Sequence, residues 1–78
     1  MYFVYVVKNL DNPELYYGYT NDLERRIKEH NSTRRCFLVY YEAFLSEQDA
    51  RDRERKLKNY GQSRTHLRRR IKDSLMMT

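Results

Sequence analysis

The sequence predicts an α+β fold with the element order β-β-α-β-α-α, and three observations carry that prediction. Short runs of β-branched and aromatic residues alternate with turn formers in the first half. Capping residues open two apolar-periodic stretches. The last part is a basic helical pattern in which Leu67, Ile71 and Leu75 recur every four positions.

Tyr2 to Lys8 (YFVYVVK) reads as a strand, and Asn9 to Glu14 (NLDNPE) supplies its turn. Leu15 to Thr20 (LYYGYT) returns as a second strand, completing a β-hairpin, with Gly18 marking a bulge or a close backbone approach. Asn21-Asp22-Leu23-Glu24 has the layout of a capping box with Asn21 as the cap, opening a helix to about His30. Cys36 to Phe44 (CFLVYYEAF) is a third strand. Ser46-Glu47-Gln48-Asp49 caps a helix running to about Tyr60, which Gly61 ends, and Ser63 caps the last helix.

At 78 residues one domain, 1–78, is expected and a second will not fit. A chain this small buries only about 60% of its unfolded surface, so a working site has to be built from the core elements themselves. No apolar run approaches the roughly 18 residues of a membrane span, and MYFVYVVKN lacks a signal-peptide layout, so a cytoplasmic protein without membrane contacts is expected. The single cysteine, Cys36, excludes an intramolecular disulfide and a Cys-rich zinc site and reads as a small strand residue.

The net charge of +5 lies wholly in the second half: residues 1 to 44 hold six Lys+Arg and six Asp+Glu, residues 45 to 78 ten and five. Arg64, Arg68, Arg69, Arg70 and Lys72 gather on the last helix, where they suit phosphate backbones or simply a solvated face.

Two helices carry polar residues where the period calls for apolar ones. At about 100° per residue from Leu23, Ile27 falls near 40°, His30 near 340° and Arg26 near 300°, so Arg26 and His30 border the core while Arg25, near 200°, faces water. Counting likewise from Ala50 puts Glu54 near 40° and Leu57 near 340°, a carboxylate in the middle of an apolar face. Glu54 is then either an ion-pair member, with Arg26 or a tyrosine as partner, or a metal ligand or acid-base group. Eight tyrosines and no tryptophan add a second imbalance. Most pack on the sheet, but Tyr5 and Tyr16 on adjacent hairpin strands can present two phenols on one face.

No phosphate-cradling GxxxxGK loop, nucleophile elbow or Cys/His zinc spacing occurs, which removes P-loop NTPases and serine hydrolases. The remaining set suits phosphodiester cleavage: Glu54 for one hard divalent cation, Arg26 to grip phosphate, and Tyr5 or Tyr16 as a base once its phenolate is favoured. Residue patterning alone fits a nuclease and a non-catalytic binder equally.

With Val4-Tyr5-Val6, Tyr16-Tyr17-Gly18, GYTNDLERRIKEHN and YYEAFLSEQDARDRERKLK, the sequence resembles the GIY-YIG nucleases of the small stand-alone bacterial type over nearly its whole length. The resemblance implies a three-stranded antiparallel sheet flanked by helices and metal-dependent hydrolysis of DNA, duplex or branched. It places the catalytic residues at Tyr5, Tyr16, Arg26, His30 and Glu54, with Mg²⁺ or Mn²⁺ on Glu54. Tyr5 is assigned as the base and Tyr16 as its phosphate-side partner. Phe3 stands where the family has Gly, the loop Ser32 to Arg35 is short, and no counterpart of the family's late asparagine follows Asn59. Larger relatives attach separate DNA-binding domains, so low sequence specificity is expected here. The alternatives are an inactive nucleic-acid-binding module of the same fold and a small ribosome- or partner-associated basic protein. A homodimer is compatible with the sequence but not indicated by it.

Overall fold

A computed structural model describes residues 1–77; Thr78, the last residue of the expected domain, lies outside the described residues. The chain runs β1 (Tyr2–Asn9), β2 (Leu15–Thr20), α1 (Leu23–Thr33), β3 (Cys36–Phe44), α2 (Glu47–Asn59), α3 (Gly61–Arg70) and α4 (Lys72–Met76). The strands form one antiparallel sheet in the order β2-β1-β3. This is the α+β arrangement expected, with the last expected helix divided at Ile71.

β1 is the central strand, and alternation divides its residues between two faces. Val4 and Val6 turn to one side, where they are buried with Ala50 and Leu57 of α2, Leu67 of α3, and Ile71. Tyr5 and Val7 turn to the other, and both are buried too. β1 pairs with β3 through a register shift between Val6 and Val7, so the bulge lies there and not at Gly18.

The helix ends differ from the sequence expectations in instructive ways. Asp22, not Asn21, caps α1: its Oδ1 accepts from the Arg25 N–H at 3.1 Å. Asn21 is displaced because the Thr20 hydroxyl already holds the turn, accepting from the Asp22 N–H and donating to the Asp22 carbonyl. Glu24 does not reach back; it faces Lys28 at 3.6 Å. Ser46 caps α2 as expected, accepting from the Asp49 N–H at 3.2 Å.

Gly61 does not end α2 with a left-handed residue, since no glycine among the described residues has positive φ. Tyr60, extended at φ −119° and ψ 112°, ends α2 and opens α3 at once, so Ser63 lies inside α3 and caps nothing. Arg64 makes this tight junction workable: its Nη1 donates to the carbonyls of Leu57 at 2.8 Å and Lys58 at 2.9 Å, groups a helix C-terminus leaves unpaired.

Candidate active site

The site starts from Gly18. It lies opposite Tyr5 in the β1–β2 ladder, and the Tyr5 ring crosses directly over it. Any β-carbon at position 18 would overlap the ring, so glycine is what lets the ring lie flat against the strand. This is the close approach, rather than the bulge, that the sequence allowed.

Tyr16 pairs with Val7, which places it diagonal to Tyr5 on the same face, with ring centroids 6.2 Å apart. From α1, His30 meets both rings, 5.7 Å from Tyr5 and 5.0 Å from Tyr16. The Tyr5 hydroxyl lies 3.0 Å from His30 Nε2. Burial first, then the neighbouring Tyr16, pushes the Tyr5 phenol up to about 12, while Arg26 pulls against that shift. Burial and the positive charge of Arg26 lower His30 below its ordinary range. A neutral imidazole beside a protonated phenol assigns the hydrogen bond: the phenol donates, Nε2 accepts, and Nδ1 carries the ring proton.

The lowered pKa of His30 has a consequence for stability. The unfolded chain binds the proton at higher pH than the folded one, so stability rises with pH between the folded midpoint and the ordinary value of 6.5. An NMR titration of the His30 ring should give a midpoint below 6.5, and urea unfolding should show stability falling on acidification through that window. A midpoint above 6.5 would contradict the environment described.

Arg26 sits one helical turn before His30. Its Nε is buried and has no hydrogen-bond partner, and among the described residues Arg26 forms no ion pair. A buried, unpartnered cationic N–H is costly unless an anion completes it. A depression of about 120 Å³ lined by Arg26, Glu29, His30 and Thr33 opens there. It shares His30 and Thr33 with a larger groove of about 350 Å³, whose walls include Val7, Leu15, Tyr16, Arg34 and Cys36.

Glu54 reaches the site from α2, close enough for its charge to raise the Tyr5 phenol. Its side chain is 24% exposed and is bridged by Lys58, whose Nζ lies 3.2 Å from Oε2. Lys58 also stands 5.7 Å from the centroid of the Tyr16 ring. No ion pair joins Glu54 to Arg26 among the described residues, so that version of the structural reading is not formed. The helical period does not single out Lys58, although Glu followed by Lys four positions on is a visible pairing signal.

Among the described residues no group of three or more His, Cys, Asp or Glu could hold a metal. Glu54 alone nevertheless fits a hard cation of the magnesium kind, which is commonly held by one or two carboxylates together with water and substrate phosphate. Arg68, Arg69 and Arg70 at the end of α3 and Lys72 at the start of α4 are exposed, with Arg70 close enough to influence the Tyr40 phenol. Arg64 instead spends one nitrogen on the α2 carbonyls. Cys36 opens β3 as a free, half-buried thiol. No helix among the described residues is long and apolar enough to cross a membrane.

Two phenols on one sheet face thus meet an imidazole and an unpaired arginine from α1, with one carboxylate arriving from α2. Residues 1–69 match the GIY-YIG catalytic domain, and the chain belongs to that nuclease family. It is 43% identical over 68 residues to a UPF0213 protein of Staphylococcus haemolyticus, covering 76% of this chain and 82% of that protein. A UPF0213 protein of Haloquadratum walsbyi is 37% identical over 68 residues, covering 76% and 75%. One of Bacillus pumilus is 33% identical over 75 residues, covering 85% and 76%. No solved structure matches the chain.

Proposed function

We propose that this chain is a divalent-metal-dependent endonuclease that hydrolyses DNA phosphodiester bonds with low sequence specificity, working in the cytoplasm as one domain over residues 1–78. The observation that carries the reading is the buried, unpartnered Arg26 Nε beside the Tyr5–His30 hydrogen bond. A guanidinium held there without a counter-ion is prepared for an anion, and a phosphodiester supplies one beside a phenol whose proton His30 is placed to accept.

Each residue then has a task. Arg26 holds the scissile phosphate and, by its positive charge, favours loss of the Tyr5 proton. Tyr5 takes a proton from the attacking water, and neutral His30 receives the phenol's own proton at Nε2, 3.0 Å away. Tyr16, 49% exposed, faces the substrate and orients a phosphate oxygen through its hydroxyl. Glu54 would hold Mg²⁺ or Mn²⁺, which would neutralise developing phosphate charge and offset the Glu54 charge that adds to the upward shift of Tyr5. Arg68, Arg69 and Lys72, exposed beside Arg70, supply sequence-independent contacts to the backbone, so affinity should fall steeply with salt.

The test is a time course on supercoiled plasmid with Mg²⁺ or with EDTA, run beside a mock purification to exclude contaminating nuclease. Nicking is expected only with the chain and the metal together. Absence of metal-dependent cleavage on duplex, single-stranded and branched DNA would overturn the reading in favour of a binding module.

A further inference from the structure

Lys58 is the cation closest to the Glu54 carboxylate, and the site described above gives it no task. It sits on α2 one turn beyond Glu54 with Nζ 3.2 Å from Oε2, and it also stands over the Tyr16 ring. Its side chain is 46% exposed, whereas Glu54 is 24% exposed, so the lysine has the more open surroundings and the room to swing. An ammonium and a divalent cation cannot both occupy the same carboxylate oxygen, because like charges at contact repel. Released from Glu54, an exposed ammonium is free to meet a second anion when the metal arrives. The site offers one: the phosphate that Arg26 and the metal would gather, beside the Tyr16 ring that already flanks Lys58.

We infer that Lys58 is a substrate-binding residue that alternates between two anions, bridging Glu54 while the site is empty and moving to substrate phosphate when the divalent cation takes Glu54. The inference rests on the nuclease reading and on the metal-binding role of Glu54. It makes substrate affinity depend on metal loading through this chain's own lysine, because displacement of Lys58 from Glu54 frees a positive charge for the backbone.

Lys56 provides the control. It lies on the same helix two positions away, is exposed, and forms no ion pair among the described residues. Free Mn²⁺ is measured by electron paramagnetic resonance in titrations of wild type, Lys58→Met, Lys56→Met and Glu54→Ala. Removing an exposed bridge of this kind should tighten Mn²⁺ binding about two- to five-fold in Lys58→Met and leave Lys56→Met near wild type. In parallel, binding of a cleavage-resistant phosphorothioate oligonucleotide is followed against salt with Ca²⁺ present. Lys58→Met should flatten the logarithmic salt slope by about one beyond the change in Lys56→Met. Equal Mn²⁺ affinities in the two lysine variants, or an equal change in slope, would overturn the inference. Unchanged Mn²⁺ binding in Glu54→Ala would instead remove the metal role of Glu54, a failure of the reading beneath it and separable by that one arm.

Discussion

Replacing Glu54 by alanine is expected to lower metal-dependent DNA cleavage by about 10³-fold or more while the protein keeps its fold. The size follows from the chemistry: a metal that polarises phosphoryl oxygen supplies several kcal/mol of transition-state stabilisation, and about 1.4 kcal/mol is a decade in rate. The small structural effect follows from the geometry. The one ion pair Glu54 makes among the described residues is with Lys58, a half-exposed side chain on the same helix. Bridges of that type contribute well under about 1 kcal/mol, and alanine favours the helix interior. A binding module that kept Glu54 as part of a buried structural pair predicts the opposite: a marked loss of melting temperature and no change in cleavage, because none exists. Thermal unfolding and plasmid nicking measured on the same two preparations separate the readings. A variant that cleaves like wild type removes Glu54 from the chemistry.

How far the sequence disclosed this arrangement depends on the range of the interaction. The strands were legible because Tyr2 to Lys8, Leu15 to Thr20 and Cys36 to Phe44 are runs of residues that suit a half-buried pleated surface. The helical period alone put Arg26, His30 and Glu54 on or beside apolar stripes, and the structure finds all three partly buried next to the Tyr5 face. The choice between Asn21 and Asp22 as cap turned on the Thr20 hydroxyl, a competitor that a capping pattern does not weigh. The final helices were misjudged because Gly61 looks like a stop. Arg64 satisfies the α2 carbonyls from inside α3 instead, a contact between two elements that no single-helix pattern contains. For the same reason a run of arginines reads as uniform in the sequence, although one of them is already engaged by backbone. The diagonal placement of Tyr16 against Tyr5 likewise needed the register, because it is Gly18, not Tyr16, that faces Tyr5.

That register makes Gly18→Ala far more damaging than its single added methyl suggests. The added carbon would overlap Cζ and the hydroxyl oxygen of Tyr5 and lie 2.8 Å from Cε1, all of them parts of a rigid ring. The ring has nowhere easy to go: Tyr5 is 1% exposed, Tyr16 and His30 close it from the sides, and its own strand is the central one. Overpacking of this kind costs about 1–3 kcal/mol. For a domain of this size each kcal/mol is worth roughly 4–8 °C in melting temperature. Activity should fall further than stability. Any shift that clears the methyl carries the Tyr5 hydroxyl off His30 Nε2, and displacement of about 1 Å in a reacting group is enough for about a 10²-fold loss. Gly61→Ala is the matched comparison, since its β-carbon would meet only Arg64 Nη2, at an ordinary 3.7 Å, at the first residue of α3. It should leave cleavage unchanged and stability equal or slightly higher. Nicking rates measured well below the melting point of Gly18→Ala distinguish a distorted site from an unfolded one. A folded Gly18→Ala protein with wild-type cleavage would mean that the Tyr5 hydroxyl need not stand where Gly18 lets it stand, and that the base is elsewhere.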